Sequence, residues 1–202
     1  VIHIPIAFAA LLAPLLGINP TCLLLLPVHV VLLELVIDPT CSIVLERQPA
    51  ETDVMERPPR KMNEKLIDIN SLTKSLFQGF AIFGAAFGTY LTFLEQYPDN
   101  AALARTMGLT IMFISNMLLV HVNSSESELA IRSILRLRGD KVIAAVNIGV
   151  ILGLIIMLYT PFADVLKLAP LTWQEIILAV GIACASVLWY EIVKLVRLGM
   201  TK

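Results

Sequence analysis

The stretch PVHVVLLELVIDP, from Pro27 to Pro39, places two carboxylates inside an otherwise apolar run. Glu34 and Asp38 are four residues apart, so both side chains project from the same face if the stretch is helical. An ionisable side chain at membrane depth is energetically costly and usually functional. The stretch therefore predicts a transmembrane helix that carries a functional acidic pair.

The composition of the whole chain also indicates an integral membrane protein. Of its 202 residues, 57% are hydrophobic and 15% are charged, whereas ordinary soluble domains carry roughly 25% charged residues. The net charge of −1 shows no basic bias, so we expect no nucleic-acid partner. Three scattered cysteines form neither a metal motif nor a disulfide framework, and we expect them to act as small apolar side chains: Cys22, Cys41 and Cys184.

Six apolar segments are long enough, or nearly so, to cross about 30 Å of hydrocarbon. The sequence therefore predicts an all-α, polytopic transmembrane bundle in which residues 1–202 form one membrane domain. The first segment is short and opens at Val1, so we expect the chain to be cut from a longer polypeptide within a helix. The predicted spans are about 1–17, 22–45, 74–95, 103–123, 142–160 and 173–195.

Positive charge is distributed unevenly between the connections. All Lys and Arg residues except Arg105 and Lys167 lie in or beside a polar loop at about 46–73, in the connection after the fourth segment, or near the C-terminus. Positively charged loops are enriched on the cytoplasmic side of membranes. The pattern predicts that these connections and the C-terminus are cytoplasmic, with the lipid bilayer around the six segments.

The acidic pair is predicted to form half of a cation site. Neither Glu34 nor Asp38 has a Lys or Arg in its own apolar segment, so a bound cation is the simplest partner. Pro39 has no N–H to donate to the carbonyl of Leu35, which frees an oxygen beside the acids. Carboxylate and carbonyl oxygens are the ligands that hard cations prefer.

Two further polar residues in apolar segments are candidate ligands. His3 offers a ring nitrogen, and Pro5 is expected to free the carbonyl of Val1 in the same way as Pro39 does in the second segment. Asn116 is a lone amide among Ile, Met, Phe and Leu. Such an amide either joins helices or binds an ion, and the sequence leaves both roles open.

Three other features indicate packing or surface contacts. His29 lies about 140° around the helix from Glu34, so we expect it to pack between helices. The spacing of Gly84 and Gly88, with Gly79 one step earlier, is typical of closely approaching membrane helices. Residues 127–139 could form an amphipathic helix at the membrane surface or a solvated loop.

The stretch PVHVVLLELVIDP, with DVMERPPR at 53–60, resembles the sixth transmembrane helix and following loop of P-type cation-transporting ATPases, whose best-known members are calcium pumps. In that family an acid-bearing helix precedes a D/E-R-P-P-R signature, here Glu56–Arg60. The versions HIPIA at His3–Ala7 and ELVIDPTCS at Glu34–Ser42 look most like bacterial members. The resemblance covers essentially the whole chain, as transmembrane helices five to ten.

The resemblance implies ion ligands at particular residues. The two ligand positions of the family's sixth helix fall on Glu34 and Asp38, where calcium pumps often have asparagine at the first. A threonine that assists in calcium pumps falls on Ile37. The helix-eight ligand, an acid in calcium pumps, falls on Asn116, and the helix-five ligand region falls near His3. The implied site is Glu34, Asp38, Asn116 and His3, with Ca²⁺ as the default transported cation.

The resemblance further implies that this chain is one part of a P-type ATPase. Its partners would be transmembrane helices one to four and the actuator, phosphorylation and nucleotide domains of the same polypeptide, where ATP and Mg²⁺ bind. The DKTGT phosphorylation motif does not occur in residues 1–202, so the fragment alone is not expected to be active. The implied location is a bacterial inner (plasma) membrane.

Two other functions remain open from the residues alone. A secondary cation transporter or channel subunit could use the same acidic pair with an ion gradient, and inverted repeats would favour that function. A non-catalytic helical scaffold is a third interpretation, which two carboxylates in mid-helix disfavour. A DKTGT motif upstream in the same reading frame would favour the pump.

Overall fold

A computed structural model of the chain describes residues 1–48, 55, 69–124, 130 and 140–200. Within these residues all regular secondary structure is helical, so the all-α prediction is confirmed. The helices are α1 (His3–Leu15), α2 (Pro27–Glu46), α3 (Ile69–Gln96), α4 (Ala101–Val122), α5 (Lys141–Tyr159), α6 (Phe162–Val165) and α7 (Trp173–Met200).

Five of these helices are long and apolar enough to cross a membrane, namely α2, α3, α4, α5 and α7. Helix α1 has only 13 residues and is shorter than a span, in line with the short first segment. Helix α3 contains the predicted span of about 74–95 and begins earlier, at Ile69. The short helix α6 was not predicted.

Two sequence-based predictions lie outside the described residues. The ERPPR signature at 56–60 belongs to the polar loop, of which the structure describes 46–48, 55 and 69–73. Of the predicted amphipathic segment 127–139, only the helical Ala130 is described.

Helix α4 is the central helix of the bundle. It contacts α2, α3, α5 and α7, and 83% of its apolar stretch is buried, against 17% for α5. Small and flexible apolar side chains point in several directions around it, among them the fully buried Ala104, Met107 and Met112. A helix that is apolar on all sides is stable when other helices surround it. Helix α4 is therefore the scaffold against which the acid-bearing α2 packs.

Helix α2 presents one face to this scaffold. It begins at Pro27, in the first helical turn, where a missing N–H costs nothing. Leu33 and Ile37 are buried, whereas Val31 and Leu35 are 65% and 67% exposed. The packing of Leu33 and Ile37 sets the rotation of α2 about its axis, and with it the direction of the acidic pair.

Close helix approaches occur at other glycines than the predicted pair. A Cβ atom at Gly84 or Gly88 would have nothing from the described residues within 4 Å. A Cβ at Gly79 would lie 2.7 Å from Ile4 Cδ1, and one at Gly108 would lie 2.5 Å from Leu24 Cδ1. Gly79 thus lets α1 lie directly against α3, whereas Gly84 and Gly88 leave an open surface.

Arg105 ties together one end of the bundle. Its side chain is buried, with 2% exposed, and it donates to three backbone carbonyls. Nε reaches Leu23 at 2.8 Å, Nη1 reaches Lys167 at 2.7 Å and Nη2 reaches Thr21 at 2.8 Å. Arg105 therefore joins the α1–α2 connection to the α6–α7 connection.

His29 makes a second link at the same end. It is fully buried; its Nδ1 accepts from the N–H of Leu26 at 3.2 Å, and its Nε2 donates to the carbonyl of Leu166 at 2.8 Å. One ring nitrogen accepts and the other donates, which satisfies a neutral imidazole. The predicted packing role of His29 is confirmed, and the first turn of α2 is joined to the C-terminal end of α6.

Candidate cation site

Helices α1 and α2 bring His3, Glu34 and Asp38 together. One ligand atom from each lies within 4.8 Å of the other two, and His3 Nδ1 lies 3.0 Å from Glu34 Oε1. His3 and Asp38 are exposed and Glu34 is half-buried. Three side chains that commonly bind metals therefore converge from two helices.

The local sequence explains why both acids face the same way. Each follows a residue of the buried face, Leu33 before Glu34 and Ile37 before Asp38. Successive residues are about 100° apart around a helix, so both carboxylates emerge beside the face that packs on α4. The two acids are separated by about 6 Å along the axis and lie near the middle of the 20-residue helix.

Proline has different effects in the two helices. Pro39 lies inside α2 and cannot donate to the carbonyl of Leu35. In α1, by contrast, the carbonyl of Val1 accepts from the N–H of Ile4 at 3.2 Å. The expectation that Pro5 frees the Val1 carbonyl was therefore wrong, because the N–H of Ile4, three residues along the chain, donates to this carbonyl instead.

The electrostatics of the cluster favour a positive ligand. Glu34 pairs with His3 at 3.0 Å, whereas the Asp38 carboxylate has no hydrogen-bond or ion-pair partner in the part of the chain that the structure describes. Two ionised carboxylates and a neutral imidazole would carry a charge of −2. A charge of this size in an apolar span is stabilised by a bound cation or by protons.

Comparison with known proteins identifies the family. Residues 22–196 match the family model described as "Cation transporting ATPase, C-terminus". The chain belongs to this family. A calcium-transporting ATPase of Bacillus subtilis (strain 168) is 26% identical over 159 residues, which are 79% of this chain and 18% of that relative. The chain thus spans about a fifth of the length of the relative it matches, and it is a C-terminal membrane region of the P-type cation ATPases.

Asn116 lies apart from the three converging side chains of this cation ATPase region. It is buried in α4 with 2% exposed, and among the described residues neither its amide nitrogen nor its oxygen has a hydrogen-bond partner. It borders a small cavity with Ile37 and Cys41 of α2, and the two acids do not line that cavity. The structure therefore brings three of the four predicted ligands together. Asn116 instead lies beside the face of α2 that carries Ile37 and Cys41.

A second charged cluster of the region was missed from the sequence. Lys194 of α7 is 2% exposed, lies 3.0 Å from Glu191 Oε1 and donates to the carbonyl of Val122. Glu191 Oε2 accepts from the N–H of Ala130 at 2.8 Å. The spacing of three residues within the last apolar segment was the available signal. Both charges have protein partners, so this cluster joins α4 and α7 rather than binding a cation.

Proposed function

We propose that this chain is the C-terminal membrane domain of an ATP-driven cation pump, and that Glu34, Asp38 and His3 form part of its intramembrane transport site. One observation supports this most strongly. Ligand atoms of the three residues lie within 4.8 Å of one another, beside the middle of α2, in a membrane region whose family is named for cation transport.

The proposed mechanism is alternating access. Phosphorylation in another domain of the same polypeptide, which would bind ATP and Mg²⁺, shifts the helices between two states. A ligand moves such an equilibrium only when it binds the two states unequally. Glu34 and Asp38 would hold the cation in one state and release it in the other, with further ligands from helices that precede this chain.

Asn116 is proposed as an additional ligand in one of these states. Its unpartnered amide faces the Ile37 side of α2. It would meet the cation only if α2 turns against α4, and such a turn would convert an unsatisfied buried group into a ligating one. Ca²⁺ is the first ion to test, because the Bacillus relative is named a calcium-transporting ATPase. The proposed location is a bacterial inner membrane, with the C-terminus on the cytoplasmic side.

The test is the variant Asp38→Asn in the full-length polypeptide. It should lose cation-dependent phosphorylation by ATP while keeping phosphorylation from inorganic phosphate, which does not require a cation at the transport site. Glu95→Gln at the exposed end of α3 is the matched control and should behave as the wild type. Cation dependence that survives Asp38→Asn would contradict the proposed site.

A further inference from the structure

We infer that the His3–Glu34–Asp38 site selects a divalent first-row transition-metal ion, such as Mn²⁺, Co²⁺ or Zn²⁺, over Ca²⁺. The inference rests on the proposed transport site and concerns only the class of cation that this site takes. It follows from the donor atoms, their spacing and their charge.

The donor atoms include an imidazole nitrogen. Imidazole is a good ligand for zinc, copper, iron and nickel ions. Ca²⁺ instead takes six to eight oxygen ligands. In this chain His3 Nδ1, the nitrogen nearest α2, faces Glu34 Oε1. The side chain that α1 contributes is therefore one that a calcium ion would not use.

The spacing of the His3 and Glu34 atoms suits a metal of this class. Two ligands about 2.1 Å from a metal lie about 3.0 Å apart at an angle of 90° and about 3.4 Å apart at the tetrahedral angle. The observed Nδ1···Oε1 separation is 3.0 Å. A metal ion can thus take the place of the shared proton between these two atoms, with Asp38 as the third ligand.

The neighbouring side chains of α2 and α4 do not complete the cluster. Ile37 stands beside the acids and has no polar atom. The hydroxyl of Thr40 donates to the carbonyl of Val36 at 2.6 Å, and Thr40 and Asn116 line a cavity that the two acids do not line. The remaining ligands would come from helices that precede this chain, so the expected preference depends on the imidazole of His3 and not on the number of ligands.

The charge of the cluster favours a divalent ion. Two carboxylates balance a charge of +2, and neutral His3 adds a ligand without adding charge. A monovalent cation would leave one negative charge uncompensated in an apolar span, which is costly. The site therefore combines selection by charge through Glu34 and Asp38 with selection by ligand softness through His3.

The first experiment measures ATPase activity of the full-length protein in the presence of Mg²⁺ and ATP, with Ca²⁺, Mn²⁺, Co²⁺ or Zn²⁺ titrated. We expect half-maximal stimulation by at least one of the transition metals at a concentration at least tenfold below that for Ca²⁺. The variant His3→Gln should reduce this preference tenfold or more. Glu95→Gln should leave both titrations unchanged.

The second experiment detects the nitrogen ligand directly. Mn²⁺ bound to the full-length protein should show hyperfine coupling to a histidine nitrogen by pulsed electron paramagnetic resonance, and labelling histidine with ¹⁵N should change that coupling. The coupling should vanish in His3→Gln, although His29 and His121 remain. His3 is exposed, so this substitution leaves the core intact. The ¹⁵N comparison is made on the wild-type protein and does not depend on the folding of any variant.

The outcomes separate the inference from the proposed function. Stimulation by Ca²⁺ alone that is unaffected by His3→Gln but abolished by Asp38→Asn would overturn the inference and retain the pump. Nitrogen coupling that persists in His3→Gln would also overturn it. Activity that depends on no cation, or whose cation dependence survives Asp38→Asn, would overturn the proposed site itself.

Discussion

Arg105 Nη1 donates to the backbone carbonyl of Lys167 at 2.7 Å, and this bond links the start of α4 to the connection before α7. The same guanidinium binds the carbonyls of Thr21 and Leu23, just before α2 begins. Three fixed donors on a planar group match three backbone carbonyls from two connections of the chain. Arg105 therefore holds the start of the acid-bearing helix against the scaffold helix.

Replacing Arg105 should destabilise this end of the bundle. Arg105→Met leaves three carbonyls without donors and should lower the free energy of unfolding by about 3–5 kcal/mol. Arg105→Lys keeps the charge but lacks the planar fork, so its effect should be intermediate. The measurement is the unfolding midpoint in detergent. Lys167→Asn is the control, since Arg105 binds the backbone carbonyl of Lys167 and not its side chain, and asparagine tolerates its φ of 53°. Equal midpoints for the Met and wild-type proteins would contradict the role of Arg105.

Alanine substitutions at Gly79 and at Gly84 test whether α1 packs against α3 at Gly79. An alanine at Gly79 would place its Cβ 2.8 Å from Ile4 Cβ, an atom that moves only with the backbone of α1. We expect a loss of about 1–3 kcal/mol in the free energy of unfolding. Because Ile4 adjoins His3, metal affinity should fall too. Gly84→Ala, where the added methyl meets open space, should change neither quantity, and equal effects of the two substitutions would refute this packing.

The elements that could be predicted from the sequence are those that depend on local pattern. Hydropathy located α2 and α4 within a few residues, and the spacing of Glu34 and Asp38 placed both acids on one face. These properties follow from helix geometry and from the length needed to cross a bilayer. Helix α3 begins five residues before the predicted span, since the mostly polar residues 69–73 continue the helix beyond the apolar stretch.

What could not be predicted depends on contacts between distant parts of the chain. The bond between His3 and Glu34 joins residues 31 positions apart, and that between Arg105 and Thr21 spans 84. No local periodicity encodes such pairs. A single arginine near the end of an apolar segment has the same sequence pattern whether it faces water or binds buried carbonyls, so the charge pattern could not identify the role of Arg105.

The Glu191–Lys194 pair should be more sensitive to loss of one partner than to loss of both. Glu191→Gln removes a carboxylate that lies 3.0 Å from a buried ammonium, which is expected to cost about 3–5 kcal/mol. Replacing both residues, as in Glu191→Gln with Lys194→Met, removes the buried charge and should recover part of that loss. Unfolding midpoints of the two single variants and the double variant form the cycle. Strictly additive losses would show that the two side chains do not interact.

The ion pair between Arg47, at the C-terminal end of α2, and Asp140 has a stabilising effect that depends on pH. Arg47 Nε donates to Asp140 Oδ2 at 2.8 Å, and this bond has the largest effect in lowering the pKa of Asp140 below its ordinary value of 3.8. Partial desolvation opposes the shift, and the N–H groups of Val142 and Ile143, capped by the same carboxylate, add to it. Because the folded state lowers this pKa, the contribution to stability is complete above pH 3.8 and is lost as the pH falls through the lower folded value.

The variant Arg47→Met should therefore unfold at a lower temperature than the wild type by the same margin at every pH from 7 to 5. Below pH 3.8 the two melting temperatures should converge as Asp140 becomes protonated. Asp140→Asn separates the two roles of the carboxylate, since asparagine still caps α5 but carries no charge. It should match Arg47→Met at neutral pH, whereas Asp140→Ala, which also loses the cap, should be less stable than both. A difference between Arg47→Met and the wild type that grows below pH 3.8 would show that the Asp140 carboxylate is not the group that this pair stabilises.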